Sequence, residues 1–446
     1  MSGGMSSSVT ERIWSSSRLK REAEECRREG GRGRGIEEGR TRTLFVSYDG
    51  VLEPLGESQV LSYVERLSVA YEIMLVSFEK VQDLANRERV VRMRERIEAA
   101  GIRWVPLRYH KWPPAISTAF DIVCGVWVGL ARCLRGRVRL IHARGYVAAV
   151  VALALKRTLG VGFLFDMRGF WADEKVESGQ WPPESVLYRV TKWFERRFFE
   201  SADGVVSLTR EGVRAFPTLG YRIRSGIPVE VIPTCTDLER FRPGPKDPDL
   251  LSKFDLTGHV VVGCIGTMSN WYLRQPMLDY LAFLLRRMER LKVLVVTTED
   301  HGRLRDEAES SGIGPPHLVL TRAEYSEMPG LIRLMDVGLF FIRVCFSKTG
   351  SAATKLGEFL ASGVPVIIND GVGDSGTIVR ERRVGVVLPD VTPEAFEDSL
   401  GRVLQIVRDE EAARRCRATA MDYFDLDKGI MKYETVYRTI LGGRET

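Results

Sequence analysis

A strong charge of either sign is missing from this sequence. Its 446 residues carry 65 Lys and Arg against 59 Asp and Glu, a formal net charge of +6. Residues 1–42 hold ten Lys or Arg against seven Glu, so half of the small excess lies in the first tenth of the chain. The rest is close to neutral. A dedicated nucleic-acid binder needs a strong basic face, so that class is set aside. Paired cysteines are missing too. The seven cysteines, Cys26, Cys124, Cys133, Cys235, Cys264, Cys345 and Cys416, are odd in number and scattered, with no Cys-x-x-Cys. Most sit in apolar runs, where Cys acts as a small hydrophobe, and the expectation is reduced thiols in a cytoplasmic protein. No apolar run reaches the about 20 residues of a membrane-spanning helix. The nearest, Ala115 to Leu134, is interrupted by Asp121 and Arg132. Met1 to Thr10 lacks the apolar stretch of a signal peptide. No Gly-x-Gly-x-x-Gly follows a strand, which sets aside an NAD enzyme. No Asp-x-Asp lies at a strand end; Asp247-Pro248-Asp249 has the spacing but sits in a Pro-rich linker and reads as structural.

What is present is an ordinary globular balance, 44% apolar and 28% charged residues, over a length that suits two or three domains. Residues 1–41 mix Ser, Gly, Arg and Glu and read as a disordered tail. From Thr43 onward short β-rich runs alternate with helical patterns. Strands are expected at 43–47, 71–78, 103–107, 140–143, 162–166 and 204–208, with helices between them. Ser58 is expected to cap the first helix. The pattern restarts at Val229, with strands at 229–233, 260–266, 293–297, 318–320, 337–341 and 365–368. Residues 393–441 read as helical. Such alternation means parallel sheets with helices on both faces. The fold class is α/β, two doubly wound Rossmann-like domains facing a cleft: 42–225, 226–425, and a last helix at 426–446 expected to pack back on the first domain.

Ligands of such folds bind beyond the carboxyl ends of the strands, so the residues there carry the chemistry. After the first strand, Gly56, Ser58 and Gln59 precede a helix. After the fourth come His142, Arg144 and Gly145. After the fifth, Asp166, Arg168, Phe170, Trp171 and Glu174 form a dense polar and aromatic run. Gly266 and Thr267 end the first strand of the second half. The richest segment runs from Arg343 to Ile367. A loop offers Ser347, Lys348 and Ser351, and a helix then presents Thr354, Lys355 and Glu358. Thr354 and Glu358 are four apart, hence on one face. A cationic loop at a helix N-terminus suits a diphosphate, and a carboxylate one turn deeper can accept bonds from sugar hydroxyls.

Four segments in this order resemble retaining GT-B glycosyltransferases of family four. They are Tyr48 to Gln59, Phe165 to Glu174, Val231 to Asp237, and Ser347 to Ile367 with its Lys355-Leu356-Gly357-Glu358-Phe359-Leu360-Ala361-Ser362-Gly363-Val364-Pro365 core. The resemblance covers about residues 43–441. It implies a nucleotide-sugar donor on the C-terminal domain and a glycan, lipid-linked or small-molecule acceptor on the N-terminal one. The donor residues are then Gly56, Gly266, Thr267, Ser347, Lys348, Ser351, Thr354, Lys355 and Glu358, with Glu358 on the ribose. Ser58, Gln59, Arg144, Arg168 and Trp171 are expected on the acceptor side. His142, Asp166, Lys348 and Glu358 are expected to act at the reacting centre. No cofactor and no metal are expected. The pattern is broken twice. Gly350 stands where the family often has a second glutamate, and the usual Arg and Lys near Gly266 are absent, leaving Arg274 nearby. Two rival readings are a nucleotide-sugar epimerase of the same architecture and a non-catalytic nucleotide-sugar binder. Separately, Tyr109-His110-Lys111-Trp112 and Arg132, Arg135, Arg137 and Arg139 flank an apolar helix, the composition of a peripheral membrane contact.

Overall fold

The computed structural model describes residues 40–443, and the expected tail at 1–41 and Cys26 lie outside them apart from Arg40 and Thr41. The first sheet contains β1 (Arg42–Ser47), β2 (Glu72–Glu79), β3 (Arg103–Arg108), β4 (Leu140–Arg144), β5 (Gly162–Asp166), β6 (Gly204–Ser207) and β7 (Val229–Val231). Their order is β3-β2-β1-β4-β5-β6-β7 and every pairing is parallel. The second sheet contains β8 (Val260–Ile265), β9 (Leu291–Val296), β10 (Leu318–Thr321), β11 (Val337–Phe340), β12 (Val366–Asn369) and β13 (Gly385–Leu388) in the order β10-β9-β8-β11-β12-β13, again all parallel. Strands buried on both faces need apolar side chains on both, which is why runs such as Leu-Phe-Val and Val-Val-Val-Gly-Cys-Ile form them.

Six helices position the site: α1 (Pro54–Gly56, a π-helical turn Glu57–Leu61, and Ser62–Leu67), α2 (Pro114–Gly136), α3 (Tyr146–Leu159), α4 (Val186–Ser201), α5 (Thr354–Ala361) and α6 (Leu426–Gly442). On one face of the first sheet, α2, α3 and α4 build a core around Ile141, Val151, Phe163 and Phe198. On the other, α1 and α6 build a core around Phe45, Leu61, Tyr433 and Tyr437. The last helix therefore does pack back on the first domain.

Four expectations need correction. β7 pairs with β6, so residues 229–231 complete the first sheet and the second domain starts after them. β13 adds a strand beyond 365–368. α1 starts at Pro54, so Ser58 lies within it and its hydroxyl donates to the Leu55 carbonyl at 3.2 Å. α2 is an unbroken 23-residue helix, by length and composition apolar enough to cross a membrane, and its one acid, Asp121, is buried against the fold. All six described cysteines are free thiols.

The candidate active-site cleft

In both sheets the strand order reverses at an inner pair, β1 with β4 and β8 with β11. Crevices beyond such pairs are where α/β folds bind ligands. Register fixes the first wall. Ser47 pairs with Arg144 and Arg144 with Asp166, so three strands end in line. Asp166 gathers a cluster there. Its Oδ2 accepts from the Tyr433 hydroxyl at 3.1 Å and lies 3.3 Å from His142 Nε2. Arg168 Nη1 is 3.5 Å from Oδ1, and Arg144 Nη1 is 3.7 Å from Oδ2. Burial alone raises a carboxyl pKa; Arg168, His142 and Arg144 outweigh it and hold Asp166 well below the usual range. His142 is buried, which keeps it neutral against the pull of Asp166, and its Nδ1 lies 2.8 Å from the Tyr437 hydroxyl. The final helix thus supplies the polar backing of the first wall.

The second wall is built by the loop at 346–353 and by α5. No side chain caps α5, so its first N–H groups are open to a ligand. Lys348 Nζ donates to Glu174 Oε1 across the cleft at 3.1 Å and lies 3.7 Å over the Trp271 ring. Lys355 Nζ donates to the Thr267 carbonyl at 2.7 Å and lies 3.4 Å over the Tyr272 ring. Burial draws its pKa down to about 7, and burial pushes Glu358 up to about 7 against the attraction of Lys355. Both shifts are the work of burial, and perturbed groups of this kind cluster at functional sites.

Two adjoining cavities lie between the walls. One, of about 290 Å³, is lined by Gln59, Arg144, Arg168, Glu174, Trp271, Lys348, Ser351 and Thr354, among others. The other, of about 430 Å³, is lined by Ser58, Gly266, Thr298, Tyr325, Thr354, Lys355 and Glu358, among others. Leu55 and Thr354 belong to both.

Most of the residues singled out from sequence therefore meet in one place, but six stand elsewhere. His142 and Asp166 are 1% exposed, because Tyr433 and Tyr437 of α6 pack over them. They do not face the cleft. Ser347 is buried with its N–H donating to Glu177 at 3.0 Å. The Thr267 hydroxyl is held by Glu299, and only its carbonyl reaches Lys355. Trp171 packs on Tyr146 and Trp181. Gly56 is pressed on the β1–α1 turn: a Cβ there would lie 1.8 Å from the Gly50 carbonyl oxygen. Ser58, expected on the acceptor side, lines the cavity of Glu358 instead. Arg274 is committed to Glu299 and Glu307. At Gly350 a Cβ would meet the Phe170 ring at 3.0 Å, so a larger residue there is crowded unless that ring gives way. The carboxylate present nearby is Glu174, from the opposite domain. Glu174, placed by sequence in the polar run after the fifth strand, lines the cleft, as do Asp49, Trp271 and Tyr272, to which the sequence assigned no role.

Comparison with known proteins bears on this arrangement. Residues 59–235 match the family model of the glycosyl transferase 4-like domain. No curated protein sequence matches the chain. Among solved structures, sucrose-phosphate synthase from Thermosynechococcus elongatus superposes with a TM-score of 0.69 at 13% identity, over 91% of this chain and 100% of that one. A glycosyltransferase from Rickettsia africae gives 0.68 at 14%, over 90% and 99%. Anabaena HepE in complex with UDP and glucose gives 0.64 at 16%, over 89% and 99%. At these identities the superpositions establish the fold, while the match over 59–235 speaks for the family of the first domain. Together they give the chain the two-domain fold of the GT-B glycosyltransferases, with residues 59–235 of its first domain matching the glycosyl transferase 4-like model.

Proposed function

We propose that the protein moves a sugar from a nucleotide-sugar donor, held by the second domain, to an acceptor bound on the first, with retention of anomeric configuration. One observation carries this: the open N-terminus of α5, Lys348, Lys355 and Glu358 all border the same cleft, opposite Arg144 and Arg168. The nucleoside fits the larger cavity, with Glu358 accepting from the ribose hydroxyls. The diphosphate fits the start of α5 and the two lysines, since helix N-terminal N–H groups and ammonium groups both favour anions. The donor sugar then lies beside Arg144, Arg168 and Gln59, where the acceptor meets it. UDP bound to the structurally similar HepE supports the donor class.

In the proposed step the acceptor oxygen bonds to the anomeric carbon as the bond from that carbon to the diphosphate oxygen breaks. The acceptor proton passes to the departing phosphate oxygen on the same face. The protein aligns the two partners, and its cations stabilise the charge growing on the leaving group. With that charge met by side chains, no metal is called for. The six free thiols support work in a reducing compartment such as the cytoplasm. The match of residues 59–235 favours transfer over the epimerase reading.

The test is product formation with candidate acceptors and a panel of nucleotide sugars. Nucleoside diphosphate release should require acceptor, be insensitive to EDTA, and give a product whose anomeric coupling matches the donor's. Release of a free epimerised sugar nucleotide, or an inverted product, contradicts the proposal. Binding with no turnover on any acceptor favours the non-catalytic reading.

A further inference from the structure

Helix α2 has two unlike faces. Ser117, Asp121, Gly125, Gly129 and Cys133 are buried. The glycines let it lie close on its neighbours: a Cβ at Gly125 would be 3.0 Å from Val151, and one at Gly129 would be 2.6 Å from Leu155. Asp121 pins the helix, accepting from the Tyr48 hydroxyl at 2.8 Å and from the His110 backbone N–H at 3.1 Å. On the opposite side Ile116, Phe120, Val123, Trp127 and Leu134 are all more than half exposed. At 3.6 residues per turn they fall within an arc of about 60°. Trp112, 82% exposed, stands at the head of the stripe. Single exposed apolar residues are ordinary, but a contiguous row of this size marks an interaction surface. In the same helical layer, on the far side of α3, α4 exposes Val186, Val190 and Trp193, again three residues on one face.

We infer that this layer is a docking surface for an anionic lipid bilayer, with α2 lying in the plane of the interface. The pinned inner face rules out a spanning role for a helix that is long enough for one. Charge selects the occupant. Residues 108–139 contain six Lys or Arg and one acid, and that acid, Asp121, is buried. Lys111, Arg132, Arg135 and Arg137 are exposed. Two copies of the chain meeting on this face would bring like charges together, whereas anionic headgroups match them, and exposed apolar side chains beside cations suit an interfacial helix. The inner face of α2 is tied to the cleft wall. Tyr48, held by Asp121, precedes Asp49, which lines the smaller cavity. If the glycosyltransferase reading holds, docking sets the acceptor wall close to the lipid surface, where a lipid-carried acceptor resides.

The test is co-sedimentation of the full chain with vesicles of phosphatidylcholine, with and without phosphatidylglycerol. The wild type should pellet with the anionic vesicles, and added salt should weaken this. The Phe120→Glu/Trp127→Glu double variant should lose at least about tenfold in partitioning. Lys111→Glu/Arg135→Glu should lose the preference for phosphatidylglycerol. Because all four side chains are exposed, unchanged melting and an unchanged response to nucleoside diphosphates serve as controls. A wild type that stays in the supernatant, or a double variant that binds as well, overturns the inference. So does light scattering that shows a dimer which Phe120→Glu/Trp127→Glu dissociates. Nucleotide response and vesicle binding are separate readings, so loss of the first with the second intact counts against the enzymatic role alone.

Discussion

Replacing Asp166 by Asn should cost the first domain about 3 kcal/mol, the lower end of what breaking a buried ion pair takes. The substitution keeps the shape and removes the charge. Arg144 and Arg168 then face each other with no anion between them, in a site where Asp166 is 1% exposed and Arg144 6%. The Tyr433 hydroxyl loses its charged acceptor, so the grip of α6 on the first sheet weakens as well. Urea unfolding of wild type and variant, followed by tryptophan fluorescence, should show the first transition at lower urea. The contribution also has a pH signature. Asp166 is held below its unfolded pKa of about 3.9. The stability it confers is therefore complete above that value and is lost as pH falls through the folded one. The wild-type advantage over Asp166→Asn should be constant from pH 6 to 8 and shrink in acid. A difference under about 0.5 kcal/mol at neutral pH, the size of an ordinary surface substitution, contradicts this account.

Lys348→Ala should lower turnover about 100-fold, the scale seen when one preorganised donor to a developing anion is removed. Its ammonium is buried between the Trp271 ring and Glu174 and borders the cavity where the diphosphate is placed. Water exclusion there strengthens its field. The loss should fall mainly on the chemical step, because the start of α5 and Lys355 still hold the ground-state donor. Folding should be little changed: Glu174, freed of its partner, is already partly open to water. Lys348→Arg should recover part of the rate by restoring the charge. Single-turnover rates at saturating donor decide the matter. A rate within threefold of wild type removes Lys348 from the mechanism.

The parallel strands were legible because burial on both faces forces apolar runs that no surface segment shows. β7 was misplaced because three residues, Val229 to Val231, carry no mark of which sheet they join; only the pairing with β6 decides it. That Lys348, Thr354, Lys355 and Glu358 meet in one cleft was legible, since a helix start and its first two turns fix where those side chains go. The acceptor half was less so. His142 and Asp166 sit at strand ends like Arg144, but depth behind the strand end depends on what packs above, here Tyr433 and Tyr437 from nearly 300 residues away. Trp171, expected on the acceptor side, turns away from the cleft while Trp271 lines it, for a similar reason: the direction of each ring is set by its partners, Tyr146 and Trp181 for one and Lys348 for the other. Gly350, which breaks the family pattern, lies against the Phe170 ring, a contact visible only in three dimensions.

The central claim is that the second domain holds a nucleotide-sugar donor through Glu358. The most direct measurement is thermal unfolding of wild type and Glu358→Ala with each nucleoside diphosphate and its sugars, since a ligand that binds only the folded state raises the melting temperature. One base should stabilise the wild type without added metal. The shift should vanish in Glu358→Ala, whose loss of two hydroxyl contacts to a charged acceptor is expected to weaken binding by about 10- to 100-fold. If no nucleotide shifts the wild type, or if Glu358→Ala responds as the wild type does, the donor site is not where the account puts it.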